Sequence, residues 1–186
     1  MNFYSEDIIK HIIDTEAIEN IIDQIDIFKE TAKYLFQRYS FQTIHYKYTQ
    51  HLLRDGHIQY AFYCMDNEFS IYNCPTMMIY RKYLEQDSDE IRYYILLICT
   101  KFQFRNQGYA SKLIANFVEH LKGKKSKTGD TRKIKIVLSS VEEAVLFYES
   151  IGFRWTRDTL KDHGILLQYE KFQEEKEYFI MELCID

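Results

Sequence analysis

The sequence predicts a single α/β domain in which a helical N-terminal segment precedes a sheet. Apolar residues recur at helical spacing over residues 5–37, alternate with polar residues further along, and return to helical spacing in the second half. A chain of 186 residues has the length of one ordinary domain, and neither an internal repeat nor a Gly/Ser-rich linker divides it. We therefore predict one domain over 1–186, with a helical segment at 1–38 and the sheet at 41–186.

The N-terminal segment carries two apolar stripes at helical spacing. Ser5 is the expected N-cap of the first stripe, and Thr15 is a candidate cap for a restart at the second. The segment therefore forms either two helices or one bent helix. The residues of the two stripes are Ile8, Ile9, Ile12, Ile13, Ile18, Ile21, Ile22, Ile25 and Phe28.

Alternation with a period of two predicts the strands that follow. Ile44, Tyr46 and Tyr48 alternate with polar residues, which indicates a half-buried strand that begins near Phe41. Turn residues at 54–56 and 66–67 separate the later segments. Further strands are expected at Ile58–Cys64, Phe69–Cys74, Thr76–Tyr83 and 90–100, the last two joined as a hairpin through the polar tip at 86–89.

The stretch from Tyr93 to Ser111 is the most informative part of the chain. An unbroken apolar segment ends at Thr100, and an amphipathic helix begins after the polar run Phe104–Ser111. A strand that turns through small residues into a helix leaves several backbone N–H groups unpaired at the helix start. Together with the positive end of the helix dipole, these donors form an anion site suited to phosphate.

The helix after this site is predicted to end at Gly123, because a left-handed residue is favoured just past a helix end. The run Lys122–Gly129 is then expected to be a solvated basic loop. Alternating apolar residues predict a short strand at Ile134–Leu138.

Ser140 and Glu143 have the spacing of a capping box, which predicts that a short helix begins there. This helix contains Ala144–Ile151 and ends at Gly152. Two strands are expected to close the chain, one at Phe153–Arg157 or Ile165–Tyr169 and one at Tyr178–Ile185.

Composition narrows the class of protein. The net charge of −4 and the pI near 5.9 argue against general nucleic-acid binding, which requires a basic face. No apolar run reaches the roughly 20 residues that span a bilayer, and the acidic N-terminus lacks the pattern of a signal peptide. We therefore expect a cytoplasmic protein without a membrane partner. No metal is expected either, since the histidines and the cysteines Cys64, Cys74, Cys99 and Cys184 fit no metal-ligand spacing.

Two motifs resemble the signatures of the GNAT superfamily of N-acetyltransferases. The run Arg105–Ala110 matches the first signature, Arg/Gln-x-x-Gly-x-Gly/Ala at a helix start after a strand. The run Ala144–Phe153 matches the second, Ala-x-x-Phe-Tyr-x-x-x-Gly-Phe. The first pattern is weak alone, but the two occur in the family's order and about one helix and one strand apart. The resemblance covers roughly 90–155.

The resemblance implies a mixed, mostly antiparallel sheet with splayed central strands, flanked by helices, and acetyl-CoA as the cosubstrate. The pyrophosphate would lie on the backbone donors of Gln107–Ser111, and the pantetheine arm in the gap between the strands at 93–100 and 134–138. Arg105 is either a phosphate ligand or a plain surface charge. The residues expected to bind acetyl-CoA are Ile98, Cys99, Thr100, Arg105, Asn106, Gln107, Gly108, Tyr109, Ala110, Ser111, Ser140, Ala144 and Phe147.

Two residues are the candidates for catalysis that the resemblance implies. The backbone N–H of Ile98 is the expected donor to the acetyl carbonyl, where it would stabilise the oxyanion formed when an amine attacks the thioester. Tyr148 stands where many family members carry the acid that protonates the leaving thiolate. Alternatively, Tyr148 packs on the cofactor without moving a proton.

The sequence departs from the family's pattern in three places. Val141 stands where the second signature often has Asn, and Tyr94 stands where protein-lysine acetyltransferases of the family often carry a catalytic Glu. A protonated amine must lose a proton before attack, so the chain either needs another base, such as a water relay through Glu90 or His163, or takes an acceptor that deprotonates readily. The family also begins with a strand, which predicts either a very short strand at Met1–Tyr4 or a rearranged N-terminal part.

These features predict an N-acetyltransferase that transfers acetyl from acetyl-CoA to an amine by direct attack. The acidic runs Glu85–Glu90 and Glu170–Glu177, on predicted hairpin tips, favour a small or cationic acceptor. Two alternatives stay open: a CoA-binding sensor or interaction module without catalysis, and a protein or peptide N-acetyltransferase whose N-terminal helices dock a polypeptide. The oligomeric state is also open, a homodimer being one option.

Overall fold

The structure, a computed structural model, describes residues 3–5, 7–8, 29–30, 32–34, 36, 46–66, 73–84, 88–170 and 177–185. Within these residues the chain forms a seven-stranded sheet with helices on both faces. The strands are β1 (Phe3–Ser5), β2 (Gln59–Tyr63), β3 (Thr76–Leu84), β4 (Glu90–Thr100), β5 (Lys133–Ser140), β6 (Arg154–Trp155) and β7 (Phe179–Ile185). The helices with both ends described are α1 (Tyr46–Leu53), α2 (Tyr109–Thr128), α3 (Glu142–Ser150) and α4 (Gly164–Glu170).

The sheet has the strand order β1-β2-β3-β4-β5-β7-β6. Neighbouring strands are antiparallel except β4 and β5, which run parallel. Parallel strands need a crossover connection, and α2 supplies it between β4 and β5. The mixed, mostly antiparallel sheet that the family resemblance implies is confirmed.

The central strands β4 and β5 separate part-way along their length. Their pairing runs from Glu90 opposite Lys133 to Ile95 opposite Leu138, whereas β4 continues to Thr100. The register between β3 and β4 shifts at the same point and leaves Leu96 as an extra residue on β4. A bulge of this kind bends its strand and ends regular pairing. The bend carries the end of β4 away from β5 and opens a gap in the middle of the sheet.

The two faces of the sheet carry different helices. Successive strand residues point to opposite faces, so Tyr93 packs on one side and Tyr94 on the other. On the Tyr93 side, α2 contributes Leu113 and Phe117, and α3 packs against the same cluster. On the Tyr94 side, α1 and α4 contribute Tyr48, Leu52, Leu166 and Tyr169, and the helical residues Ala32 and Phe36 pack in the same cluster.

The chain begins with the short strand that the sequence offered as one of two options. β1 pairs antiparallel with β2, so that Phe3 lies opposite Tyr63. The backbone N–H of Ile8 donates to Ser5 Oγ over 3.4 Å, as an N-cap requires. Residues 7–8, 29–30, 32–34 and 36 are helical. The intervening parts of the two predicted stripes, including Thr15, lie outside the described residues.

The strand predicted around Ile44, Tyr46 and Tyr48 is wrong from residue 46 onward, because α1 is a helix. Tyr48 and Leu52 are four residues apart, and both are buried on the face that packs on the sheet. This tertiary contact outweighs the strand preference of an aromatic-rich alternating run. Residues 41–45, and most of the strand predicted at Phe69–Cys74, lie outside the described residues.

The predicted helix end at Gly123 and the basic loop after it are also wrong. α2 continues through the lysine-rich run to Thr128, and the left-handed residue at its end is Gly129, with φ of 64°. Lysine is a good helix former, which offsets the cost of about 1 kcal/mol for one helical glycine. Thr128 Oγ1 also donates to the backbone oxygen of Lys124 over 3.0 Å.

The capping box at Ser140 and Glu143 does not form. Ser140 is the last residue of β5 and pairs with Phe179. Its hydroxyl donates to the Val141 backbone oxygen over 2.9 Å, and Val141 is the N-cap of α3. Strand pairing therefore holds Ser140 one residue too early to cap the helix.

The hairpin of β3 and β4, the strand at Ile134–Leu138 and the helix that ends at Gly152 are confirmed. Of the two options for the penultimate strand, Ile165–Tyr169 is wrong, because it lies in α4 and buries Leu166 and Tyr169 at helical spacing. The strand forms instead at β6, which pairs with β7.

In the part of the chain that the structure describes, no helix is long and apolar enough to cross a bilayer. The same residues contain no group of three His, Cys, Asp or Glu side chains that could hold a metal ion. Three of the four cysteines are buried, and only Cys184 is exposed.

Candidate active site

A cleft of about 870 Å³ occupies the gap where β4 leaves β5. Its walls are the end of β4, the start of α2, the end of β5 and one side of α3. Of the residues predicted to bind acetyl-CoA, only Gln107 lies outside this lining, and its side chain donates to the Gln103 backbone oxygen over 2.9 Å. The predicted residues that the structure brings together in the cleft are Ile98, Cys99, Thr100, Arg105, Asn106, Gly108, Tyr109, Ala110, Ser111, Ser140, Ala144, Phe147 and Tyr148.

The backbone of β4 past the bulge alternates between β3 and the cleft. The Lys101 N–H donates to the Pro75 oxygen over 2.9 Å, and the Cys99 oxygen accepts from Thr76 Oγ1 over 2.9 Å. Both residues therefore direct their backbone groups toward β3. Cys99 thus contributes no backbone hydrogen bond to the cleft.

Alternate residues of a strand direct their backbone groups to opposite edges, so Ile98 and Thr100 face the open edge. The carbonyl of Leu96 faces the same edge, where it accepts a hydrogen bond from the Tyr48 hydroxyl over 2.6 Å. The predicted donor, the Ile98 N–H, thus points into the cleft. A ligand that lies along β4 meets a strand edge that β5 no longer pairs with, although Tyr48 occupies the Leu96 carbonyl and Arg105 the Thr100 carbonyl.

The start of α2 forms the second wall of the cleft. Gly108 is its N-cap with φ of 76°, and no side chain caps the helix, so the N–H groups of the first turn are left for a ligand. An anion at this end is also favoured by the helix dipole. Two cations lie nearby: Arg105 is exposed with Nε 3.4 Å from the Thr100 oxygen, and Lys112 lies 5.0 Å from the Tyr109 ring centre.

Tyr148 enters the cleft from α3. Gly152, with φ of 99°, turns the chain so that the Phe153 N–H donates back to the Tyr148 oxygen over 3.1 Å, which closes the helix end. The Tyr148 ring contacts Phe147 and Phe153 edge-on. Burial, and secondarily the nearby Cys99, raises the pKa of Tyr148 to about 12. The phenol therefore keeps its proton at neutral pH.

Sequence reasoning missed three polar residues of the cleft as site residues: Tyr48, Glu170 and Tyr178. Ser139 Oγ donates to Glu170 Oε1 over 2.7 Å. Burial raises the pKa of Tyr178, and its hydrogen bond to Glu170 raises it further. None of the three belongs to a local motif; Glu170 carried only the weak signal of an acidic run.

A family model described as an acetyltransferase (GNAT) domain matches residues 82–171. Just under half of the chain is therefore similar to a GNAT acetyltransferase domain. Solved structures share this fold at low identity, and among curated proteins none matches the sequence.

The similar structures cover most of the chain. Tetrahymena GCN5 is 13% identical, with 91% of this chain and 93% of that chain covered and a TM-score of 0.56. Arabidopsis thaliana NAA60 in complex with a bisubstrate analogue is 13% identical, with 84% and 95% covered and a TM-score of 0.57. NAA60 in complex with acetyl-CoA is 14% identical, with 83% and 94% covered and a TM-score of 0.56.

The two residues predicted as bases lie away from the cleft. Glu90 is at the far end of β4, eight residues or about 26 Å along the strand from Ile98. Its carboxylate oxygens form ion pairs with Arg92 Nη2 at 3.2 Å and with Lys135 Nζ at 3.0 Å. His163 is buried between the Tyr94 hydroxyl, 3.4 Å from Nδ1, and an Asp158 carboxylate oxygen, 3.1 Å from Nε2. Neither residue lines the cleft.

Proposed function

We propose that the chain is an acetyl-CoA-dependent N-acetyltransferase that acetylates a small or cationic amine by direct attack. The observation that carries this proposal is the gap opened at Leu96. The backbone groups of Ile98 and Thr100 face this gap from one side. The uncapped first turn of α2 faces it from the other. A ligand with amides along its length and phosphates at one end fits both walls.

The parts of the cleft suit the parts of acetyl-CoA. The pyrophosphate would accept from the N–H groups at the start of α2, where Gly108 leaves its backbone open: a Cβ built there meets nothing within 4 Å. The amides of the pantetheine arm would pair with the open edge of β4 as a neighbouring strand does. Ser140 contributes less than the sequence predicts, since its hydroxyl already donates to the Val141 oxygen.

Acetyl-CoA supplies a thioester carbonyl, and the chain's own residues supply the remaining chemistry. The Ile98 N–H would hold the carbonyl oxygen and stabilise the negative charge that develops there, a contribution of about 3 kcal/mol for one well-placed donor. Tyr148 would give its phenolic proton to the departing sulfur. Its raised pKa keeps that proton available across the neutral range.

Calorimetry with acetyl-CoA, followed by a CoA-release assay on small amines, polyamines and peptides, tests the proposal. We expect binding and turnover of at least one small or cationic amine. Binding without turnover of any acceptor would instead identify a CoA-dependent sensor. Turnover of peptides alone would replace the proposed acceptor class.

Gly108 allows a direct test of cofactor placement. We expect Gly108→Glu to weaken acetyl-CoA binding at least tenfold, because it places a negative charge where the phosphates would lie. Gly108→Ala introduces the same backbone strain, about 1 kcal/mol at a positive φ, without the charge, and serves as the matched control. Equal affinities of the Glu variant and the wild type would refute this cofactor site.

The wider predictions extend the same proposal. One domain over 1–186 is supported by a sheet that joins Phe3–Ser5 with Phe179–Ile185, although the family model matches only 82–171. The cytoplasmic location, the lack of nucleic-acid and membrane partners, and the homodimer option stay predictions.

A further inference from the structure

A carboxylate lies at the point where β4 and β5 separate. Glu170 is the last residue of α4 and is half-buried in the cleft lining. The hydroxyl of Ser139 donates to it over 2.7 Å, and Ser139 directly follows Leu138, the last residue of β5 that pairs with β4. α4 is held against the sheet, because its residues Leu166 and Tyr169 are buried in the core. Glu170 is therefore a positioned group.

Two tyrosine hydroxyls lie near the Glu170 carboxylate, one on α1 and one just before β7. Tyr48 on α1 donates to the Leu96 oxygen, and Tyr178 lies against Glu170 just before β7. Burial raises the pKa of both phenols, and the charge of Glu170 raises them further, so they stay neutral from acid to moderately alkaline pH. An ionised carboxylate has about four acceptor positions, enough for Ser139, Tyr178 and an ammonium group together.

Glu170 and Tyr148 approach the gap from opposite faces of the sheet. α3, which carries Tyr148, packs on one face with α2, whereas α4 packs on the other face with α1. The carbonyl of Leu96, held by Tyr48, is two residues or about 7 Å along β4 from Ile98. Glu170 and Ile98 line the same cleft, so an amine that attacks a carbonyl held at Ile98 would reach the carboxylate directly or through one water.

We propose that Glu170 binds the ammonium form of the acceptor and is the general base that deprotonates it. This inference rests on the proposed function and specifies its acceptor half. Glu170 takes one proton from the ammonium, and the freed nitrogen lone pair forms the C–N bond. The C–S bond breaks with its electrons on sulfur, which takes the Tyr148 proton. The second nitrogen proton restores the phenol, and the proton on Glu170 leaves to water.

The test compares Glu170→Gln with the wild type. Glutamine keeps an oxygen that accepts from Ser139 but has no basicity. Its matched control is Glu119→Gln, the same charge change at an exposed residue of α2 outside the cleft lining and outside both acidic runs. The acceptors are spermidine, phenethylamine and a tripeptide with a free α-amino group. Binding of acetyl-CoA, and of each amine to the CoA complex, is measured by calorimetry alongside steady-state kinetics from pH 6 to 10.

We expect Glu170→Gln to bind acetyl-CoA within twofold of the wild type, whereas amine binding to the CoA complex weakens about tenfold. At pH 7, kcat/KM for the amine should fall by about 10²–10³. The loss should shrink about tenfold for each pH unit gained, because the free amine fraction rises in solution and the enzyme no longer has to make it. Glu119→Gln should match the wild type throughout.

Four results would overturn the inference in distinguishable ways. Absence of acetyl-CoA binding by the wild type removes the proposed function as well. Turnover by the wild type with an unchanged Glu170→Gln variant removes only the role of Glu170. A loss of rate that stays constant with pH assigns Glu170 a structural role. Binding of acetyl-CoA by the wild type without turnover of any amine removes the proposed catalysis together with the role of Glu170, and leaves only the cofactor site.

Discussion

The hydroxyl of Tyr148 is the smallest group whose removal tests the chemistry of the cleft. Tyr148→Phe keeps the ring that contacts Phe147 and Phe153, so acetyl-CoA affinity should stay within twofold. The variant has no proton for the leaving sulfur, and kcat should fall about 10²-fold. Steady-state kinetics with a calorimetric affinity measures both quantities.

The control for this substitution is Tyr83→Phe, which removes a hydroxyl from an exposed tyrosine of β3 outside the cleft. It should leave kcat unchanged. Because the pKa of Tyr148 is about 12, its phenol should cause no loss of kcat below about pH 10. A full rate in Tyr148→Phe would show that the ring only packs.

The sequence could predict the residues of the site that are close together along the chain. Arg105–Ser111 and Ala144–Phe153 are local motifs, because a strand-to-helix turn and a helix end each need specific residues at neighbouring positions. Tyr48, Glu170 and Tyr178 reach the cleft only through tertiary packing. Nothing in their local spacing signals that contact.

At the scale of elements, the two glycines at the C-terminal end of α2 should respond oppositely to one substitution. Gly123 is helical and a Cβ there meets no atom within 4 Å, so Gly123→Ala should stabilise the protein by about 0.5–1 kcal/mol. Gly129 has φ of 64°, so Gly129→Ala should cost about 1 kcal/mol.

The pair is internally controlled, because both changes add one methyl group at an open position of the same helix end. Chemical denaturation gives the two free energies of unfolding. Destabilisation by Gly123→Ala would contradict a helix that continues to Thr128. A loop at Lys122–Gly129 would instead make both substitutions nearly neutral.

The predicted element type is wrong for two short helices. β4 has eleven residues and contains an unbroken apolar run, and α2 has twenty residues and repeats the helical period several times, so each is predicted as the correct type. α1 has eight residues and α4 has seven, and the few apolar residues in each fit a strand period as well as a helical one. Their helical form depends on the sheet face that they cover.

At the scale of the whole molecule, Asp7 links the N-terminal segment to α2. Its carboxylate lies 2.6 Å from Lys124 Nζ and 3.7 Å from His120 Nε2. The nearby His120 ring, followed by the hydrogen bond and charge of Lys124, lowers the pKa of Asp7 well below its usual range. Because the folded pKa is depressed, this stabilisation is present above about pH 4 and is lost as the pH falls below it.

We therefore expect Asp7→Asn to lower the melting temperature at pH 7 and to differ less from the wild type as the pH falls from 4 toward 2. The groups are partly exposed and screened by solvent, which limits the effect to about 1 kcal/mol, or about 2–4 °C. Glu119→Gln, which breaks the local pair with Lys122 within α2, is the control and should have little effect at any pH. Equal melting curves for Asp7→Asn and wild type would refute the link.

The splay of the sheet could be expected only through the family resemblance. The strand periods do not encode which strands pair, and no local signal marks Leu96 as the bulged residue. The bulge follows from the register of β3 against β4, a relation between segments that are far apart in sequence.

The open edge of β4 past Ile95 also bears on solubility. Unpaired strand edges pair readily with strands of other molecules, and proteins protect them by covering, shortening or bending them. Here the unpaired part, Leu96–Thr100, is only five residues long and lies inside a cleft between α2 and β5. Tyr48 already occupies the first carbonyl. The bend that prepares this edge for a ligand therefore also withdraws it from the surface, where it would promote aggregation.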